Sequence, residues 1–369
     1  MRHDRPGCLV AVLALAATLL AGCQRARPGD DCPSGGVAPI APGPLPSTSN
    51  TPEALWVAGR DGSLRAVDSR TDRVTATVDL GRSEALLLGV GGGLLFAYAL
   101  DRGDVAVVDP VAARVVNHVS VPAARPYAGN RLAFAEGALW IAQPGRLWRI
   151  SSAGTASSSP LPADLTPTGL VVGGRWLWLT GGRTLLRVDP AAPAQTTPVP
   201  LAQGIAQLLP GLYASGVNSP TVRRLDPDTG REVRAIGLDE PVLSLMGAGD
   251  NVWATGTCGS LTRLADRHRV RVSDVSQDLP SVAAAGSLWV ADEVKSQVVR
   301  LDAATGTVLA RTPFVAADPD DPAFGLVAGQ YAVWVLDRNV SRADPATNAI
   351  TRVLEGADPL AVVVAAPPR

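Results

Sequence analysis

The sequence predicts an all-β fold: a β-propeller of eight four-stranded blades whose ring is closed by the C-terminal strand. Three observations lead there. An aromatic flanked by aliphatic residues recurs eight times, at Trp56, Phe96, Trp140, Trp178, Tyr213, Trp253, Trp289 and Trp334, with separations of 40, 44, 38, 35, 40, 36 and 45 residues. A spacing near forty without helical periodicity is that of a blade of four short strands. Composition supplies the core and the turns, since 46% of residues are apolar, only 18% are charged, and there are 37 Gly and 31 Pro. Finally, the first aromatic strand lacks the small apolar strand that precedes the others, and an orphan strand of that type, residues 360–364 (LAVVV), follows the last unit. Pairing the two closes the ring and removes the open ends of the array. The third unit, with residues 151–159 in place of the usual Asp-Pro turn, is the weakest, and seven blades would remain if it did not form.

In chain order, Arg2 and Arg5 precede residues 8–20 (CLVAVLALAATLL), an uncharged stretch too short for a bilayer span and suited to a signal-peptide core. Leu20-Ala21-Gly22-Cys23 follows directly and resembles a bacterial lipobox, which implies cleavage after residue 22 and diacylglyceryl attachment to the Cys23 thiol. Residues 23–53 are rich in Pro, Gly and Ser, with seven prolines after Cys23, and read as a tether of partly extended character. The expected location is therefore the extracytoplasmic side of the cell membrane, with the lipid as the membrane contact.

From residue 54 to 366 each unit parses alike. The aromatic strand is followed by a turn, an Arg-containing strand, a polar turn, an outer strand, a Pro-containing loop and a small apolar strand. Arg149, Arg187, Arg224, Arg263, Arg300 and Arg342 mark the strand after the aromatic one, and Asp68, Asp109, Asp189, Asp226, Asp302 and Asp344 end it. An Asp there suits an Asx turn, its carboxylate accepting backbone N–H groups of the next residues. The repeated aromatics are expected in the core, filling the widening gap between radially splayed sheets. Trp148 and Trp176 fall outside the repeat position and are the tryptophans expected nearer the surface.

Segments such as VVRLDAATGTVLA (298–310), VRRLDPDTGREVRAIGL (222–238) and SRADPATNAITRVLEG (341–356) resemble the YVTN family of extracytoplasmic propellers and the repeats of virginiamycin B lyase-like proteins. The likeness implies a propeller over about residues 54–366 and no single activity, because this fold hosts many. Lyase-like relatives imply a His acid/base with a divalent metal near the axis. LDAATG (301–306) is also similar to repeats of eight-bladed quinoprotein dehydrogenases, which carry Trp after the Gly where this chain has Leu309 and Ala310.

Few residues suggest chemistry. Lys plus Arg 33 against Asp plus Glu 34 gives a net charge of −1, no footprint for nucleic acid. Glycines 89–93 precede a short strand and not a helix, so they form turns and no phosphate loop. Past the signal segment only His118 and His268 remain, in an outer strand and a hairpin turn, which disfavours a His-based catalytic or metal site. Cys32 and Cys258 are the cysteines left once Cys8 is cleaved off and Cys23 acylated, and an oxidising compartment would pair them. The face carrying the inter-blade loops and the turns after each aromatic strand is the expected ligand face. Its loops contain Glu84, Asp164, Asp239, Glu240, Asp278, Asp318, Asp320, Asp321, Glu355 and Asp358. Asp318, Asp320 and Asp321 crowd one loop and suggest a weak Ca²⁺ site; no other cofactor is expected. The function that follows is a membrane-anchored binding or scaffolding module for a protein or small ligand, without catalysis, the alternative being a propeller enzyme of the lyase or quinoprotein kind.

Overall fold

The computed structural model describes residues 53–368 apart from 125–130, 182, 201–206, 210–211, 217–218, 249–250, 274–278 and 316–324. Eight antiparallel sheets of four strands follow one another around a ring. In each blade the small apolar strand is innermost, the aromatic strand second, the Arg strand third, and the exposed strand outermost. The innermost strands touch their neighbours in sequence around the whole ring, from the second blade back to the first.

The first blade draws Ala54–Gly59, Ser63–Asp68 and Val74–Asp79 from the start of the chain and its innermost strand, Pro359–Ala365, from the end. Trp56 faces Val363 and Leu55 faces Val364, so the orphan strand closes the ring as its sequence predicts. The indole N–H of Trp56 adds a bond to the Ala366 carbonyl (3.1 Å).

Packing between blades explains the aromatic repeat. Trp56, Phe96, Trp140, Trp178, Trp253, Trp289 and Trp334 are all buried, and the apolar clusters that contain them span two adjacent blades. Tyr213 is the exception, half-buried on a three-residue strand, Tyr213–Ser215. Its blade, the fifth, is thinner than the third, contrary to the expectation for residues 151–159. Its first two strands, Gln207–Leu209 and Tyr213–Ser215, have three residues each, so pairing there is short. The third blade is complete because Ser151 substitutes for Asp: its hydroxyl accepts the Thr155 N–H (3.2 Å). Trp148 and Trp176 are both half-buried.

Asp68, Asp226, Asp302 and Asp344 each accept two backbone N–H groups from the residues two and three positions on, at 2.7–3.1 Å. Asp109 does the same, and Asp189 accepts the Ala191 N–H (2.9 Å). The repeated Asp is thus a turn residue. The Gly that ends the turn has a second reason. Gly306 has φ +76°, and a Cβ there would come within 2.9 Å of the Trp253 ring of the preceding blade. Gly230, at φ +70°, meets the Trp178 ring in the same way. Only a residue with no side chain fits both the left-handed backbone and the indole.

The arginines complete the inter-blade contact. Each stands directly opposite the aromatic of its own blade, as in Trp140 with Arg149, Trp253 with Arg263 and Trp289 with Arg300. Guanidinium carbons lie 6.0, 5.6 and 5.0 Å from those ring centroids. Arg300, nearly fully buried, also donates to Asn348 (2.9 Å) and to the Pro345 carbonyl in the Asp turn of the next blade. Arg342 pairs with Asp344 (3.0 Å) and with Asp72 of the first blade (3.4 Å). In the seventh and eighth blades, then, the Arg reaches the Asp turn of the next blade.

Candidate functional site

Strand direction sorts the loops onto two faces. Innermost strands start, and second strands end, on the face that carries the inter-blade connections. The Asp turns lie on the opposite face with the hairpins between first and second strands. Every sequence-derived binding residue belongs to the inter-blade face, and the structure places them in different states.

Glu84, Asp164 and Asp239 are exposed. Asp358 is exposed but paired with Arg60 (2.9 Å), and Glu355 with Arg352 (3.2 Å). Glu240 is buried and does not contribute to a surface field. Its carboxylate accepts the Cys258 N–H and the Ser260 hydroxyl and pairs with Arg269 (2.7 Å). The reason is local: Gly256 leaves the carboxylate room, since a Cβ there would lie 2.1 Å from the Glu240 carboxyl carbon. Asp278, Asp318, Asp320 and Asp321 lie outside the described residues, as do Cys23 and Cys32. Cys258 is disulfide-bonded.

Between the second and third blades this face carries an open depression of about 410 Å³, lined by residues 122–124 and 143–146. A polar network missed by sequence reasoning forms its floor. The Gln143 amide donates to the Tyr98 hydroxyl and to the Pro122 carbonyl (3.2 Å), and its oxygen accepts the Trp148 indole N–H (3.0 Å). Tyr98 in turn donates to Pro122 (3.2 Å). Burial pushes the Tyr98 phenol up to about 12, so it stays protonated and serves as no base near neutral pH. With those groups paired among themselves, the charged member of the lining is Arg146, which reaches Ser158 (3.1 Å). The lining thus offers a shaped surface and one cation, Arg146.

The channel wall is plainer still. The innermost strands are Leu86–Gly91, Arg131–Ala135, Gly169–Gly173, Gln207–Leu209, Val242–Ala248, Ser281–Ala284, Gly325–Ala328 and Pro359–Ala365, and Arg131 is the one ionisable residue in their sequences. It donates to the Thr168 carbonyl (2.8 Å) at the inter-blade end, and burial lowers its pKa. The histidines lie far from the axis. His118 contacts Asp104 (3.0 Å) from an outermost strand, and His268 packs edge-on against Trp253 with the centroids 6.4 Å apart. Among the described residues no three His, Cys, Asp or Glu side chains converge as a metal site.

A different cluster lies on the Asp-turn face of the fourth blade. Arg175 and Arg187 lie 4.3 and 4.4 Å from the centroid of the Trp176 ring. Arg187 also donates to the Asp228 carbonyl of the next blade, so the group extends the inter-blade contact of the other arginines.

No known family model matches the sequence, and no curated protein matches it. Solved structures do match in shape. Apo AztD from Citrobacter koseri superposes with a TM-score of 0.63 at 12% identity, over 86% of this chain and 98% of that one. The dihydro-heme d1 dehydrogenase NirN in complex with DHE gives 0.61 at 15% identity, covering 87% and 78%. Virginiamycin B lyase from Staphylococcus aureus gives 0.53 at 13% identity, covering 81% and 98%. At such identities the likeness is one of fold alone, and the count of eight blades rests on this chain's own sheet topology.

Proposed function

We propose that the chain is a lipid-anchored, extracytoplasmic binding module that presents its inter-blade face to a ligand and performs no chemistry of its own. The observation that supports this most is the channel wall, whose eight strands bring one arginine and no carboxylate or imidazole to the axis. General acid/base work needs a titrating group within hydrogen-bond reach of substrate, and metal catalysis needs several donors on one centre. Both described histidines point elsewhere. The lipobox residues 20–23 supply the anchor, and the loop with Asp318, Asp320 and Asp321 supplies a cation or basic-segment contact on the same face.

The anchor is tested by phase partition. The wild-type chain enters detergent, and Cys23→Ala stays in the aqueous phase and runs as an unprocessed or released species. A Cys23→Ala chain that partitions like wild type contradicts the anchor. The binding role is tested by thermal shift with Ca²⁺ and with a basic peptide: a raised melting temperature is expected, and a melt insensitive to both contradicts the cation-binding loop.

A further inference from the structure

The fourth blade departs from its neighbours at one hairpin on the Asp-turn face. In three other blades the turn between the first two strands ends in Gly and leads into an aliphatic or small residue: Gly93 and Leu94, Gly137 and Ala138, Gly286 and Ser287. In the fourth blade the same two positions, after Gly174, hold Arg175 and Trp176, with Trp176 directly opposite Gly173. A two-residue hairpin closes readily on Gly, so the turn itself does not ask for a cation followed by an indole.

Around this hairpin stands a group of donors without an anionic acceptor. The Arg175 and Arg187 guanidinium carbons lie 4.3 and 4.4 Å from the centroid of the same Trp176 ring. Each cation is attracted to the ring, and the two repel each other. Elsewhere in the repeat such a charge is met by a carboxylate, as Arg263 is by Asp266 (2.6 Å) and Arg342 by Asp344 (3.0 Å). Neither Arg175 nor Arg187 forms an ion pair among the described residues. Arg187 donates to the Asp228 carbonyl, a neutral acceptor, and its Nε is buried without a partner. The Trp176 indole nitrogen is buried without a partner too.

The carboxylates of the neighbourhood are engaged elsewhere or stand aside. Asp226 accepts the N–H groups of Asp228 and Thr229 in its own turn, and Asp189 accepts that of Ala191. Asp228 borders Gly174, where a Cβ would lie 3.3 Å from its carboxylate oxygen, but it pairs with neither arginine. Arg175 is exposed and Trp176 and Arg187 are half-buried, so the cluster can be approached from solvent.

We propose that Arg175, Arg187 and Trp176 form a binding site for a phosphate group, free or as a monoester, between the fourth and fifth blades on the Asp-turn face. Guanidinium forks match the oxygens of phosphate in pairs, and the indole N–H adds a donor from a third direction. Two cations are matched by a group that carries close to two negative charges near neutral pH, where a carboxylate brings one. Unpartnered buried donors are costly, and several acceptor oxygens on one ligand answer them together. The site lies on the face opposite the acidic loops and does not rest on what those loops bind.

The test labels the full chain with 5-fluorotryptophan and identifies the Trp176 line in the fluorine spectrum by its loss in Trp176→Phe. Inorganic phosphate is titrated at constant ionic strength, with acetate as the comparison. A saturating shift of the Trp176 line is expected, larger than that of the other seven tryptophans. Acetate should bind about tenfold more weakly or less, and phosphate binding should weaken between about pH 7.5 and about pH 5.5, as the dianion takes up a proton. Arg175→Gln, at an exposed position outside the blade contacts, should melt like wild type and weaken phosphate binding about tenfold, the loss of a charge-assisted bond. A Trp176 line that ignores phosphate, that responds equally to acetate, or that titrates unchanged in Arg175→Gln overturns the proposal.

Discussion

The two faces of the ring are built on opposite principles. On the Asp-turn face one solution recurs: a carboxylate accepts the next N–H groups, and the residue four positions on is left-handed, Gly230 and Gly306 beside an indole and Asp72, Ala113 or Asn348 at other turns. On the inter-blade face the described side-chain contacts vary more from one connection to another, although a Ser–Asp bond recurs, Ser83 with Asp101 and Ser273 with Asp292 (3.4 Å). One carries a buried Glu240–Arg269 pair, another a Tyr98–Gln143–Trp148 network, a third the Arg60–Asp358 pair. Repetition marks the surface that holds blades together, and variety marks the surface free to acquire a ligand.

Substitutions sharpen or break that contrast. The largest expected effect is in the shared core: Trp140→Ala removes a buried indole from the contact of the third and fourth blades and costs about 3–5 kcal/mol, read from denaturant unfolding. Next is Arg269→Ala, which leaves the buried Glu240 carboxylate without its cation and costs about 3 kcal/mol by the same measurement. Gly306→Ala follows at about 2 kcal/mol, through left-handed strain and contact with Trp253. Gly237→Ala, where a Cβ meets open space, leaves the midpoint within a degree or two and serves as its control. The smallest effect is on the acid limb. The Thr229 hydroxyl and the N–H groups of Thr229 and Asp228 hold Asp226 below the usual carboxylate range. At Asp68 and Asp344 burial pushes upward, but bonds from the following turn outweigh it and the net direction is again down. A depressed folded pKa stabilises above the unfolded value and is lost as pH falls through the folded one. The melting temperature should therefore fall below about pH 4, less steeply in Asp226→Asn. Asp72, raised by burial, works in the opposite sense and blunts the slope.

Most of the fold is legible in the sequence because the strand period, the aromatic repeat and the orphan strand at residues 360–364 are local signals. The role of the turn glycine was not, since the indole that Gly306 must clear belongs to a strand some fifty residues earlier. Of the six arginines, Arg342 pairs with the Asp two positions on, a contact that strand spacing allows. Their stacking on the aromatic across the ladder follows only from register, which sequence spacing does not set. The burial of Glu240 was equally hidden: an Asp-Glu-Pro loop looks solvated until Gly256 and Arg269 are brought beside it.

The contrast between the faces is tested most directly by calorimetric titration of the detergent-solubilised full chain with Ca²⁺ and with a basic peptide, each variant also being melted. One variant changes Asp318, Asp320 and Asp321 to Asn; the other changes Asp68, Asp226 and Asp302 to Asn. The account predicts that the first loses the binding heat and melts like wild type, while the second binds like wild type and melts earlier. Binding heat that survives in the first variant, or vanishes in the second while it is still folded, would contradict it.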